Sequence, residues 1–190
     1  VDSTIKIFDS MIAEYKEEDA KLPKELDEII PNLLFFAIIW GIGGPLHEDA
    51  RPGFEKFLMD CLNGENVIEK YKLVDFKGEF EPMKINVKLP QEYSSLFGLY
   101  YDKNKLSWIT WGRTIEKFVV PQNVEYNKII VPTEDSIRVA KLMAVLVKNN
   151  KHALFVGPTG TGKTISISTE MNDGFSKDEW SNIFLSFSAQ

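Results

Sequence analysis

Eight consecutive residues, Gly157-Pro158-Thr159-Gly160-Thr161-Gly162-Lys163-Thr164, fit the pattern G-x-x-x-x-G-K-[ST], a spacing suited to gripping phosphate. The glycines at 157, 160 and 162 let backbone N–H groups turn inward around phosphate oxygens, in conformations that a side chain obstructs. Lys163 is placed to reach the β- and γ-phosphates and Thr164 to coordinate Mg2+, while the dipole of a helix opening at Lys163 favours negative charge. The implied ligand is a nucleotide polyphosphate, with ATP or ADP and Mg2+ as cofactors. At ordinary composition the four fixed positions arise by chance in roughly one in a hundred chains of this length. The flanking pattern, an apolar strand before the loop and a helix after it, lowers that figure further.

Hydrolysis asks for more than a cradle. A P-loop ATPase also needs an acid at the end of a later strand, a group that polarises the attacking water and usually an arginine from a neighbour. None of these follows Thr164, so no catalytic residue is assigned and the segment by itself is not expected to turn over ATP. Leu73-Val74-Asp75 looks like a strand ending in an acid, but it precedes the loop, and Asp75 reads as a surface or turn residue. The three arginines, Arg51, Arg113 and Arg138, read as salt-bridge or solvated residues.

The elements that must hold the loop lie in the last third. Ile129-Ile130-Val131-Pro132 is a short extended approach, Thr133 caps a helix whose first turn carries Glu134 and Asp135, and Val139, Leu142, Met143 and Leu146 mark its buried face. Asn149-Asn150 breaks that helix. Ala153-Leu154-Phe155-Val156 is a continuous apolar run of the kind found in parallel strands covered on both faces, and Ile183-Phe184-Leu185-Ser186-Phe187 supplies a second strand after the helix that opens at Lys163. The order is a βαβ unit cut off after its second strand.

The first part has a different grammar. Ile5, Phe8, Met11, Ile12 and Tyr15 form the stripe of an amphipathic helix with Glu14, Lys16, Glu17 and Glu18 opposite. Leu33 to Trp40 is apolar on all sides and reads as a buried helix ended by Gly41, Gly43 and Gly44; at eight residues the run falls short of a membrane span. Arg51-Pro52-Gly53 opens a helix with Phe54, Phe57, Leu58, Cys61 and Leu62 inward, stopped by Asn63-Gly64. Between 65 and 127 the pattern becomes short and mixed. Met83 to Leu89 alternates with period two and Leu106 to Trp111 is aromatic and β-prone, giving a small irregular sheet or extended arms. Trp108 and Trp111 read as core.

The chain has 190 residues, 44% apolar and 26% charged, with a formal net charge of −6, the composition of a folded domain rather than of a disordered segment. Residues 1–30 carry most of the negative balance, nine acids against four bases, and no basic stripe for nucleic acid is visible. Cys61 is the single cysteine, which excludes an internal disulfide, fits a reducing compartment and reads as core. His47 and His152 have no partners at metal-ligand spacing and read as structural. The start at Val1 and the stop after Gln190 look like cuts in a longer polypeptide.

Taken together, Ile39-Trp40-Gly41-Ile42-Gly43-Gly44 followed by Arg51 and Phe54, the tryptophans at 108 and 111, Ile130-Val131-Pro132-Thr133-Glu134-Asp135-Ser136-Ile137-Arg138, the phosphate loop and Asn182 to Gln190 resemble dynein heavy chains, with an axonemal rather than cytoplasmic flavour. The matching stretch runs from the end of the second AAA+ module into the third. Gly41 stands where the family commonly has Ser. The resemblance implies an α/β fold class in which residues 1–110 are the mainly α-helical lid of one module with an irregular β connector, 111–127 a linker, and 128–190 the start of the next P-loop AAA+ large domain.

It also implies a ring motor that couples nucleotide binding and hydrolysis to movement along microtubules, with this site regulatory, Gly157 to Thr164 on the phosphates, and Val131 and Pro132 at the adenine. The implied partners are the remaining AAA+ modules of the same heavy chain, microtubules, and intermediate and light chains, with no nucleic acid and no membrane. The implied location is the cytoplasm and cytoskeleton, in the axoneme of a cilium or flagellum. Two other readings stand beside it. The segment could act as a structural connector holding a nucleotide that does not exchange, or belong to an unrelated P-loop kinase or GTPase. The long stretch before the loop and the lack of a guanine-reading motif weigh against the latter.

Overall fold

The first helix forms on a narrower face than its apolar stripe suggests. In a computed structural model, which describes residues 1–18, 20–73, 81–82, 85–115, 118–119, 125 and 129–187, α1 (Asp2–Met11) buries Thr4, Ile7 and Ser10, and Ile5 faces solvent. The reason lies in its partner. Helix α2 (Leu26–Ile38) runs on into a π turn, Ile39–Gly43, and a Cβ added at Gly41 would lie 2.4 Å from the Thr4 Cα. So close an approach of two backbones selects small residues on the α1 side, and the bulkier Ile5 is turned away.

Leu26–Gly43 is long and apolar enough, by length and composition, to cross a bilayer, which a count of its eight unbroken apolar residues does not reveal. Its inward side is core instead: Phe35, Ala37 and Ile39 are fully buried and Leu33 and Phe36 nearly so. Pro31 sits inside α2, where its missing N–H leaves the helix one hydrogen bond short. One residue later, Asn32 is buried and turns its amide both ways, donating to the Glu28 carbonyl at 2.7 Å and accepting from Trp108 Nε1 at 2.6 Å.

Helix α3 (Arg51–Leu62) has proline in its first turn and ends where Gly64 takes a φ of 73°. Leu58 and Asp60 are its buried residues, while Cys61 is only half-buried rather than in the core. Asp60 accepts from Tyr71 Oη at 2.7 Å and pairs with Lys70 at 2.9 Å, which fastens the short helix α4 (Val67–Lys70) to α3. Lys70 and then Tyr71 hold the Asp60 carboxyl below its usual pKa.

Strands β1 (Leu99–Asp102) and β2 (Ser107–Thr110) pair antiparallel, Leu99 opposite Thr110 and Asp102 opposite Ser107, and are the only strands among the described residues. Both tryptophans are core, as their composition predicts. Trp111 Nε1 donates to the Phe97 carbonyl at 3.1 Å, and Phe36, Trp40, Tyr100, Trp108 and Trp111 stack around one another with centroids 4.9 to 6.4 Å apart. The alternation from Met83 to Leu89 does not form a strand over 85–89; Met83, Lys84 and the Val74-Asp75 pair lie outside the described residues.

These elements make one compact unit, Val1–Arg113; a second comprises Thr114–Gln190. In the second, α5 (Glu134–Lys148) opens with the predicted cap: Thr133 Oγ1 accepts from the Ser136 N–H at 3.2 Å and Ser136 Oγ from the Thr133 N–H at 2.9 Å. Its Met143 is buried, and α5 packs on α6 (Lys163–Asp173), where Phe175 and Trp180 close the far end with centroids 5.3 Å apart.

Neither strand expected around the loop is formed. Ala153–Val156 and Ile183–Phe187 carry no ladder, and Leu154 is 87% and Phe187 92% exposed. A parallel strand is held by its neighbours on both edges and by helices on both faces. The described part of this unit offers α5 and α6 and no pairing edge, so the apolar sequence alone does not make the βαβ sheet.

Candidate functional site

Lys163 is the first residue of α6, and Gly162, its N-cap, is left-handed with φ 76° and provides no side-chain cap. The first N–H groups of a helix have no intrahelical acceptor, so those of Lys163, Thr164 and Ile165 end the loop as donors at the positive end of the helix dipole. Gly160 is also left-handed, φ 82°, with open space where a side chain would stand. Both positions favour glycine; Gly162 is a fixed position of the motif and Gly160 a free one.

The loop gathers around the lysine. The Lys163 ammonium donates to the Gly157 carbonyl at 2.8 Å, to the Pro158 carbonyl, and to Thr161 Oγ1 at 3.0 Å. Thr161 in turn donates to the Pro158 carbonyl at 3.0 Å. Gly157, Pro158, Thr161 and Lys163 therefore form one cluster, with Thr159, Gly160 and Thr164 exposed on its rim. The lysine runs close over Gly157: a Cβ there would stand in ordinary contact with it, 3.7 Å from Lys163 Cδ and Nζ.

The bonds that gather the loop do not include Val131 or Pro132. These two lie just before the cap of α5, Val131 57% exposed and Pro132 half-buried. The side chain that composition gives least reason to notice is Thr161. It occupies a free position of the motif, and only its placement two residues before the lysine hints at its bond.

A left-handed glycine pair, free helix-start amides and a centred ammonium are the donor set that a polyphosphate needs, so the residues fit nucleotide phosphates and the Mg2+ that accompanies them. Further along α6, burial raises the Glu170 pKa; Lys148 partly counters this and Asp173 adds to it. The three arginines are explained without a phosphate. Arg51 donates to the Gly44 carbonyl at 3.2 Å and sits 4.6 Å over the Phe97 ring, Arg138 pairs with Asp135 at 3.0 Å, and Arg113 is exposed. His47 and His152 are likewise exposed, and no group of ligands able to hold a metal occurs among the described residues.

An AAA-type lid followed by a phosphate-loop unit is the class that this order of elements and this loop define. Comparison with known families makes it specific: the dynein heavy chain AAA lid domain matches residues 1–113, and the P-loop containing dynein motor region matches residues 118–190. The chain belongs to the dynein heavy chains.

Among similar proteins, dynein axonemal heavy chain 12 of Mus musculus is 30% identical over 161 residues, covering 82% of this chain and 5% of the relative. Dynein axonemal heavy chain 1 of Homo sapiens is 27% identical over 198 residues, covering 99% of this chain and 4% of the relative. The dynein-1-beta heavy chain of the flagellar inner arm I1 complex of Chlamydomonas reinhardtii is 28% identical over 163 residues, 85% of this chain and 3% of the relative. The chain thus spans about a twentieth or less of the relatives it matches.

Proposed function

We propose that Gly157 to Thr164 bind the phosphates of ATP or ADP with Mg2+, as the nucleotide site of a dynein-type AAA+ module in a motor that couples nucleotide binding and hydrolysis to movement along microtubules. The observation that carries this reading is the ammonium of Lys163 held at the start of α6 among the Gly157, Pro158 and Thr161 oxygens, just after two left-handed glycines. In this reading Lys163 holds the β- and γ-oxygens, the amides of the loop and of the first turn of α6 orient them, and Thr164 holds Mg2+. When bound, the ion would supply charge neutralisation at the phosphates. Val131 and Pro132 face the adenine.

The site is regulatory: it belongs to the third module of the ring, residues 1–110 being the lid and connector of the second, 111–127 a linker, and 128–190 the start of the third. No catalytic acid or arginine is assigned in this reading, which concerns binding alone. The partners are the other modules of the heavy chain, microtubules, and intermediate and light chains; the setting is the cytoskeleton of an axoneme, as the names of the relatives indicate for those proteins.

Calorimetric titration with Mg-ATP and Mg-ADP tests the proposal. Saturable binding is expected for the unaltered protein and a loss of tenfold or more for Lys163→Ala, since a charge-assisted contact to phosphate is worth about 1.5–3 kcal/mol. Equal affinities for the two proteins sink it.

A further inference from the structure

A lysine ammonium has three N–H donors, and all three are matched by protein oxygens here: the carbonyls of Gly157 and Pro158 and the hydroxyl of Thr161. A phosphate oxygen can bond to that ammonium only by replacing one of them. The two carbonyls belong to the backbone of the loop. The hydroxyl sits on an exposed side chain that is free to leave by rotation about a single bond, and its own proton is already directed at the Pro158 carbonyl.

We propose that Thr161 is a positioning residue whose hydroxyl is the exchangeable third ligand of Lys163, occupying the place that a phosphate oxygen takes when nucleotide binds. The inference rests on the nucleotide reading above and adds a competition to it. Thr161 keeps the lysine aimed and the loop closed before binding, and its contact with the ammonium is broken on binding. The threonine therefore stabilises the free loop at the expense of affinity, the opposite of what a phosphate ligand or a purely structural residue does.

Thr161→Val keeps the shape and removes both bonds; Thr161→Ser keeps the hydroxyl. With Mg-ATP as titrant, the valine variant is expected to bind about threefold to tenfold more tightly than the unaltered protein, the range for losing one partly exposed hydrogen bond to a charge, and the serine variant to bind like the unaltered protein. Hydrogen exchange without nucleotide supplies a second reading: amides 159–163 exchange severalfold faster in the valine variant and at the original rate in the serine variant. Weaker or unchanged ATP binding by Thr161→Val, or unchanged exchange, overturns the proposal. If the unaltered protein takes no ATP at all, the nucleotide reading falls, and the exchange experiment alone still decides whether Thr161 holds Lys163.

Discussion

Replacing Asn32 by leucine isolates the polar joint between α2 and β2. Asn32 is 3% and Trp108 5% exposed, and the 2.6 Å bond between them has no solvent route to a substitute. Leucine has the branching and the number of side-chain heavy atoms of asparagine with bulkier ends, so no cavity is created. What is lost is the acceptor of the Trp108 N–H, now buried without a partner, at a cost of about 1–3 kcal/mol, with the second bond to the Glu28 carbonyl adding a smaller amount. Taking about 2 kcal/mol in total and a urea slope of about 2 kcal/mol/M for a unit of this size, the midpoint falls by about 1 M.

The assay is urea unfolding followed by tryptophan fluorescence in a Trp180→Phe background, so that Trp40, Trp108 and Trp111 of the first unit report. Trp108→Phe is expected to cost a similar amount by leaving the Asn32 carbonyl oxygen unpartnered. The double variant Asn32→Leu, Trp108→Phe leaves neither group stranded and is expected to cost at least about 1 kcal/mol less than the sum. A midpoint shift below about 0.3 M for Asn32→Leu, or simple additivity in the double variant, refutes the account of this joint.

Two glycines should respond with opposite sign. Gly41→Ala drives a Cβ to 2.4 Å from Thr4 and is expected to lower stability by about 1–3 kcal/mol, whereas Gly53→Ala meets nothing within 4 Å and is expected to raise it by about 0.5–1 kcal/mol; thermal unfolding of the pair checks both. The pH dependence at Asp60 follows from its lowered pKa. Its contribution is complete above the unfolded carboxylate value of about 3.9 and is lost as pH falls through the lower folded value. Acid titration of stability should therefore be shallower below pH ~4 in Asp60→Asn, which is less stable at neutral pH, and an unchanged profile counts against the Lys70–Asp60–Tyr71 cluster.

What could be read in advance was whatever depends on neighbours in sequence. The Thr133 cap, the opening of α6 at Lys163 and the proline start of α3 are set within a few residues, and each is found where the residues put it. The pattern failed where distant partners decide. Ile5 belongs to the apolar stripe of α1, yet the near-contact of Thr4 with Gly41 determines which side turns inward. Asp60 and Asn32 look like surface residues until Tyr71, Lys70 and Trp108 are brought to them. Leu154 and Phe187 have the composition of strands but no edge to join. At the loop, Gly157, Gly162 and Lys163 were legible because the motif fixes them, whereas the bond from Thr161 depends on where a single side chain folds back.

The π turn at Ile39–Gly43 holds one residue more than an α-helical turn. A single-codon deletion in this stretch is therefore absorbed as ordinary winding, which keeps the glycine slot between Phe54 and Phe97 and the reach of Arg51 to the Gly44 carbonyl and the Phe97 ring. The same deletion earlier in α2 finds no such slack and turns every later side chain of that helix by about 100°.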